Sequence, residues 1–168
     1  MHHFHSLKTT KVSKETNDCV HIAFAIPPEL RHEFSFKQGQ YINVRFLMGE
    51  EDLRRSYSIV NAPSEGNGDL EILVKHLDNG NVSTYLNQVL KLGDFVEVMA
   101  PSGHFYTHYH PSNEKNYIGL AAGSGISPVL SNLKEALYQE PKSNGYLIFS
   151  NKSFAEIIFK KEIDALTA

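Results

Sequence analysis

The pattern of apolar residues changes near Gly103, and this change narrows the possible folds of the chain considerably. Before Gly103, six short segments are rich in β-branched and aromatic residues, and the clearest of them alternate apolar with polar side chains, as half-buried strands do. These segments are residues 4–16, 18–26, 41–46, 53–59, 70–75 and 95–99. Because short polar turns join nearly all of them, we predict a small six-stranded antiparallel barrel or sandwich.

Beyond a linker at residues 104–115, the pattern becomes strand, helix, strand, helix. Residues 117–122 and 146–149 are uninterrupted apolar runs, which are typical of parallel strands buried on both faces. We expect the second part of the chain to be a partial parallel α/β domain. The predicted division is therefore a β-barrel domain at residues 1–110 and an incomplete α/β domain at residues 111–168.

Capping residues indicate where the two helices of this second part begin. Ser127 precedes Pro128, and serine is a common N-cap while proline suits the first helical position. Ser153 and Glu156 have the spacing of a capping box. We therefore predict one helix after Ser127 and a last helix after Ser153 that runs to about residue 165.

One helix interrupts the barrel segments. Its apolar face over residues 81–91 is formed by Val82, Leu86, Val89 and Leu90. Gly80 lies just ahead of it, and Ser83 and Thr84 lie in its first turn. Two interpretations remain open, since these residues could cap the helix locally or bind an anion with the free backbone N–H groups and the helix dipole.

The segment at residues 53–59 carries a cation, an aromatic ring and two hydroxyl groups. In a strand, Arg55 and Tyr57 lie on one face, while Ser56 and Ser58 point the other way. By itself the pattern fits either an ordinary edge strand with a solvated arginine or a strand that binds a ligand.

A turn with two glycines, Gly123-Ser124-Gly125-Ile126-Ser127, directly follows the first apolar run. Such glycines let a phosphate approach main-chain N–H groups, although they also serve tight packing. The turn resembles a nucleotide-binding turn, but Pro128 occupies the third glycine position of the longer dinucleotide fingerprint.

Composition excludes several classes of function. The 168 residues carry a net charge near −3 with a pI near 6.3, so nothing indicates nucleic acid, and no apolar run has the length of a membrane span. We expect a cytoplasmic protein.

Cys19 is the only cysteine, so this chain cannot supply the four thiolates of an iron-sulfur cluster, and redox chemistry would need an organic cofactor. Histidines cluster near the amino terminus and at His104, His108 and His110, but their setting does not support a metal site.

Three motifs follow one another along the chain: the strand segment at residues 53–59, the helix start at residues 80–84 and the glycine turn at residues 123–127. Their order resembles that in the ferredoxin-NADP reductase superfamily, and the resemblance covers essentially the whole chain. Two further segments, at residues 38–41 and 101–105, are similar to the Pro-Gly-Gln-Tyr and Pro-x-Gly-x-Phe patterns of that family, although the first lacks the proline. Residues 4–7, 54–55, 97–99 and 123–126 are most similar to the reductase subunits of phenylacetyl-CoA epoxidase systems.

The resemblance implies an FAD-binding barrel, with a role for each matching residue. It implies that Arg55 pairs with the FAD pyrophosphate, that Tyr57 stacks on the isoalloxazine, and that Ser58 hydrogen-bonds near flavin N5. Tyr57 and Ser58 are the catalytic candidates, and Ser56 is a further candidate for cofactor binding. The other implied flavin contacts are Val74, Lys75, Gly80, Val82, Ser83 and Thr84.

The resemblance also implies a pyridine-nucleotide site, in which the NADPH or NADH pyrophosphate would contact Gly123, Ser124, Gly125, Ile126 and Ser127. The loop after the second parallel strand would meet the adenosine ribose, where the cation of Lys152 favours the 2′-phosphate of NADPH. The implied reaction is hydride transfer to the flavin and single-electron release to an iron-sulfur centre and an oxygenase partner.

Such a nucleotide domain needs about five parallel strands, and this sequence supplies two. We therefore expect a truncated reductase, with the two-iron two-sulfur cluster in the missing part. The alternatives are a flavin-binding module without turnover and a reductase that serves another oxygenase.

Overall fold

The computed structural model describes residues 3–66 and 68–166, which form eight strands and three α-helices. The strands are β1 (Phe4–Thr16), β2 (Cys19–Phe24), β3 (Tyr41–Met48), β4 (Glu51–Ser58), β5 (Leu70–Lys75), β6 (Phe95–Ser102), β7 (Asn116–Ala122) and β8 (Asn144–Ser150). The helices are α1 (Asn81–Gln88), α2 (Ile126–Gln139) and α3 (Lys160–Leu166).

The first six strands form one antiparallel sheet in the order β4-β3-β6-β1-β2-β5. Its two edge strands meet where Ile59, just beyond β4, forms an antiparallel bridge with Ile72 of β5. The N–H of Val60 then donates to the backbone oxygen of Glu71 at 2.8 Å. This seam closes the sheet, and the predicted six-stranded antiparallel barrel is confirmed.

Alternating apolar residues fill the interior of the barrel, as the pattern predicts. Its fully buried side chains include Leu7, Ile22, Phe24, Ile42, Val44, Ile72 and Val98. Helix α1 adds Val82 and Leu86 to this core and so covers the barrel beside β5. The helix ends at Gln88 rather than near Lys91, and Val89 is 53% exposed, so the predicted helix was too long and its apolar face too wide.

Strands β7 and β8 pair in parallel, with α2 as the crossover between them. Helix α2 approaches β7 so closely that a Cβ on Gly119 would lie 2.6 Å from Cγ1 of Val129. The opposite face of this sheet is open. Its exposed large side chains are Ile118, Leu120, Tyr146 and Ile148. The prediction that both strands are buried on both faces was therefore wrong, because no described element covers this second face.

Both predicted helix caps differ from the structure. Helix α2 begins at Ile126 with Gly125 as its N-cap, while the Ser127 hydroxyl lies within the helix and donates to the backbone oxygen of Ser124 at 3.2 Å. Ser153 makes no side-chain cap, and the short 3-10 turn Phe154–Glu156 precedes α3, which begins only at Lys160. Between these elements Phe159 adopts a φ of 56°, a left-handed conformation that no local sequence pattern predicts.

Helix α2 also holds the barrel and the parallel strands together. Ser131 is fully buried; its hydroxyl donates to the backbone oxygen of Asn61 at 2.8 Å and accepts the N–H of Gly39 at 3.4 Å. Asn132 donates to the backbone oxygen of Phe105 at 3.0 Å. Among the residues that the structure describes, no helix is long and apolar enough to cross a membrane.

Candidate functional site

Strand β4 presents Arg55 and Tyr57 on the face that turns toward the barrel core. The Tyr57 ring is half-buried against that core, and burial raises the pKa of its hydroxyl to about 12, although the nearby Arg55 partly opposes the shift. The Arg55 side chain is exposed, and its Nη1 donates to the backbone oxygen of Arg54 at 2.7 Å. Within the described residues, Arg55 forms no ion pair with a carboxylate, so its guanidinium is available to a bound anion.

The neighbours of Arg55 point to the opposite face, as the two-residue period predicts. The Ser56 hydroxyl donates to Oδ1 of Asn43 at 2.6 Å, and the Arg54 guanidinium binds Asp52 at 2.7 Å. Ser58 is half-buried and lies opposite Tyr41 in the β3–β4 pairing. The side chain of Ser56 therefore does not share a surface with Tyr57, and a role for Ser56 in flavin binding would have to use its backbone.

Among the residues that the structure describes, no side chain caps the start of α1. Gly80 is the N-cap and has no side chain, so it offers no acceptor to the first N–H groups of the helix. The Ser83 hydroxyl accepts the N–H of Leu77 at 3.2 Å and donates to the backbone oxygen of Gly80 at 3.1 Å. The half-exposed hydroxyl here belongs to Thr84, whose Oγ1 lies 3.1 Å from Nε2 of His76.

The two residues at the end of β5, Val74 and Lys75, differ in what their side chains contact. Val74 is fully buried, and its backbone oxygen accepts a hydrogen bond from Asn87, so its side chain is part of the core. The Lys75 ammonium lies 3.0 Å from a carboxylate oxygen of Asp18, and this hydrogen bond raises the pKa of Lys75. The described structure therefore pairs the Lys75 charge with a carboxylate of the protein itself.

The turn Gly123–Gly125 lies beside β5 and leads into α2. Gly123 has a φ of 49°, and a Cβ on Gly123 or on Gly125 would meet nothing within 4 Å, so the backbone of the turn faces open space. Ile126 is fully buried, and its N–H bonds to the backbone oxygens of Gly123 and Ser124, so this residue supports the turn from below. Lys152 is exposed beyond the end of β8.

The fold thus brings together the end of β4, the end of β5, the start of α1 and the glycine turn, because Ile59 bridges to Ile72 at the centre of β5. A half-buried aromatic ring, an exposed guanidinium and free helical N–H groups suit a ligand with a flat ring and a pyrophosphate. The chemistry of these donors therefore fits FAD.

His76 lies beside the candidate site and was not among the residues predicted from the sequence. Its contact with Thr84 crosses the turn between β5 and α1, so neither the period of the strand nor that of the helix relates the two residues. Its position directly after Lys75, one of the residues that the family resemblance singles out, was the signal that could have found it.

The histidine clusters do not form a metal centre in the part of the chain that the structure describes, where no three His, Cys, Asp or Glu side chains come together as metal ligands. In the amino-terminal group, His2 lies outside the described residues, and Nε2 of His5 lies 3.0 Å from a Glu33 carboxylate oxygen.

Comparison with known proteins assigns both halves of the chain. Residues 6–107 match the model of the oxidoreductase FAD-binding domain, and residues 120–168 match that of the oxidoreductase NAD-binding domain. Among solved structures, a ferredoxin NADP+ reductase from Neisseria gonorrhoeae with bound FAD and NADP is 27% identical, with a TM-score of 0.80 over 99% of this chain and 65% of that one. Phthalate dioxygenase reductase, described as transferring electrons from pyridine nucleotides to [2Fe-2S], is 26% identical, with a TM-score of 0.76 over 98% and 48%.

Two curated relatives belong to oxygenase systems. One component of the 1,2-phenylacetyl-CoA epoxidase of Escherichia coli is 37% identical over 162 residues, which are 95% of this chain and 44% of the relative. The ferredoxin reductase component of the 3-ketosteroid-9-alpha-monooxygenase of Rhodococcus rhodochrous is 32% identical over 161 residues, which are 95% and 44%. The chain thus spans less than half the length of these two relatives. With a family model that covers most of its length, the chain belongs to the oxidoreductase FAD-binding domain family, within the ferredoxin-NADP reductase superfamily.

Proposed function

We propose that this chain is the flavin-binding part of a reductase that takes electrons from NADPH or NADH through FAD. The observation that carries this proposal is the FAD-binding family match over residues 6–107, which includes all of the barrel except the first two residues of β1, and also α1. The exposed guanidinium of Arg55 on that barrel supports it, since a guanidinium fork suits pyrophosphate oxygens.

Each part of the site has a distinct task in this proposal. Arg55 and the N–H groups at the start of α1 hold the pyrophosphate, and the Tyr57 ring packs on the isoalloxazine. Bound FAD supplies the electron chemistry, as it accepts a hydride and gives up electrons one at a time. Ser58 directly follows Tyr57 on β4, and its backbone would supply the polar contact near flavin N5, because its side chain points to the other face of the strand.

Most of the remaining predicted contacts shape the site in this proposal and do not touch the ligand with their side chains. The side chains of Val74, Val82 and Ile126 are buried, and the Ser83 and Ser127 hydroxyls bond to backbone oxygens of their own turns. Lys75 keeps its ion pair with Asp18 and orients the end of β5.

The nucleotide site combines the open turn of Gly123, Ser124 and Gly125 with the loop that follows β8. Exposed Lys152 in that loop supplies a cation for a 2′-phosphate, so we propose a preference for NADPH over NADH. The rates of flavin reduction by the two nucleotides test this preference. Equal rates would count against it.

The electron acceptor is proposed to be an iron-sulfur centre and then an oxygenase, in phenylacetyl-CoA epoxidation. The relative from Escherichia coli supports this pathway, and the steroid monooxygenase component supports an oxygenase partner more generally. Electron transfer from the flavin-loaded protein to purified epoxidase oxygenase, with an iron-sulfur electron carrier added, tests the pathway. Transfer to another ring-hydroxylating oxygenase, with none to the epoxidase, would replace this assignment with the alternative.

A flavin-binding module without turnover is the second candidate. It is favoured by the two-stranded parallel sheet, because the open face with Ile118 and Leu120 leaves the nucleotide domain incomplete in this chain. The visible absorption spectrum of the purified chain with FAD separates the candidates. A flavin band that bleaches on anaerobic addition of NADPH supports the reductase, a band that persists supports the binding module, and no flavin binding contradicts both.

A further inference from the structure

The contact between His76 and Thr84 links the end of β5 to the first turn of α1. The backbone N–H of His76 donates to the backbone oxygen of Asp18 at 2.6 Å, which fixes the histidine next to β2. Its Nε2 lies 3.1 Å from the Thr84 hydroxyl. His76 is therefore anchored on one side and reaches across the turn on the other.

Of the two hydroxyls in this first turn, only that of Thr84 is placed to serve a ligand. The Ser83 residue is 5% exposed, and its hydroxyl already donates its single hydrogen to the backbone oxygen of Gly80. Thr84 is half-exposed beside the N–H groups that Gly80 leaves uncapped.

We propose that His76 is a positioning residue for the flavin phosphate, and this inference rests on the proposed function above. When His76 donates its Nε2–H to Thr84 Oγ1, the threonine oxygen is the acceptor, and its own hydrogen turns outward. That hydrogen then donates to a phosphate oxygen of FAD at the start of α1. We call these two hydrogen bonds, from the imidazole to the hydroxyl and from the hydroxyl to the phosphate, the relay. A side chain at position 76 that cannot donate a hydrogen bond removes the first of them.

A double-mutant cycle on FAD binding tests the relay. The apparent Kd of FAD is measured by flavin fluorescence with the apo chain for His76→Ala, for Thr84→Val and for the combination. Loss of one hydrogen bond weakens binding about twofold to tenfold, so each single variant should fall in that range. The double variant should bind no more weakly than Thr84→Val alone, because without the hydroxyl His76 has nothing to orient.

A conservative variant separates positioning from a merely structural role. His76→Gln keeps a side-chain donor and should restore binding to within about twofold of the wild type, a difference of about 0.4 kcal/mol. His76→Leu cannot donate and replaces the alanine variant if thermal unfolding shows that the latter does not fold.

Two results would overturn the relay alone, while the wild-type chain still binds FAD. One is an unchanged Kd for His76→Ala and His76→Leu, and the other is an equal loss from His76→Ala with and without the Thr84 hydroxyl. A wild-type chain that binds no FAD would instead overturn the proposed function, and the relay with it.

Discussion

The hydroxyl of Ser131 in α2 donates a hydrogen bond of 2.8 Å to the backbone oxygen of Asn61, which follows the barrel seam. The same hydroxyl accepts the N–H of Gly39 from the turn before β3. One buried side chain thus satisfies two backbone groups of the barrel from a helix of the second domain.

Replacing Ser131 with alanine should destabilise the chain. The backbone oxygen of Asn61 and the N–H of Gly39 would be left buried without this partner, which costs about 1 to 3 kcal/mol in the free energy of unfolding. Urea unfolding measures the loss. Ser153→Ala is the control, since exposed Ser153 makes no capping hydrogen bond and should change stability by less than about 0.5 kcal/mol. An equal effect of both variants would contradict the role assigned to Ser131.

Gly39 and Gly49 form a matched pair for testing how tightly the turn before β3 packs against the Phe105 segment. Both have positive φ, at 75° and 62°, but a Cβ on Gly39 would lie 2.0 Å from the backbone oxygen of Phe105, and one on Gly49 would meet nothing within 4 Å. Gly49→Ala should therefore cost only the left-handed conformation, about 1 to 2 kcal/mol. Gly39→Ala adds a clash with backbone and should cost about 2 to 5 kcal/mol, measured by thermal unfolding. Similar costs for the two variants would show that the Phe105 segment moves freely away from Gly39.

The Arg55→Ala variant should lose FAD while it keeps its fold. An exposed arginine contributes little to stability, less than about 0.5 kcal/mol, whereas a charge-assisted contact to pyrophosphate accounts for a tenfold to hundredfold change in affinity, on the order of 1.5 to 3 kcal/mol. FAD titration of the apo variant, followed by flavin fluorescence, measures the change.

Arg54→Ala is the neighbouring control for Arg55. The Arg54 guanidinium binds Asp52 and lies over the Phe4 ring, away from the face of Tyr57. This variant should bind FAD as the wild type does. If both arginine variants have the same FAD affinity, the phosphate role of Arg55 is refuted.

Glu140 should make the stability of the chain depend on acid pH. Its carboxylate is fully buried, which by itself would raise the pKa, but hydrogen bonds from the Asn113 side chain, the His110 N–H, and the Tyr117 and Ser143 hydroxyls lower it to about 2. Because the folded pKa lies below the unfolded value of 4.5, the stabilisation is complete above pH 4.5 and is lost as the pH falls toward 2.

The variant Glu140→Gln tests this pH dependence. It should be less stable than the wild type at pH 7, and its free energy of unfolding should fall less between pH 5 and pH 3, measured in urea at each pH. Glu114→Gln, at an exposed position, is the control and should keep the wild-type dependence. A wild-type slope in Glu140→Gln would show that other groups cause the acid sensitivity.

The barrel could be predicted from the sequence because alternation is a local property. Strand β5, for example, begins and ends at the predicted residues 70 and 75. The helix predicted from the sequence was longer than α1. Leu90 is buried like a core residue of the helix, although it lies beyond the last helical turn. A pattern of apolar residues therefore does not show whether a buried residue lies inside the helix or just after it.

The parts that could not be predicted depend on residues distant in the sequence. Burial on both faces of β7 requires a second covering layer, and a run of apolar residues cannot show whether that layer exists. The contact between Thr84 and His76 was likewise not predictable, because it depends on where the end of β5 places His76. The residues assigned to FAD and nucleotide contacts therefore stay predictions, although the family and its two cofactor-binding domains are confirmed.

The seam at Ile59 and Ile72 has a consequence for the dynamics of the barrel. At this seam the sheet closes through one bridge, the Val60–Glu71 hydrogen bond and two hydrogen bonds of the Asn61 side chain with the backbone of Asp69 and Glu71. These are fewer contacts than in the other ladders of the sheet, so the barrel can open there while those ladders stay intact. Amide hydrogen exchange at Val60 should therefore be faster than at Val44, which lies in the middle of the sheet between β4 and β6. Since the seam directly follows Tyr57 and Ser58, the candidate flavin contacts, we expect added FAD to slow hydrogen exchange at the Val60 amide.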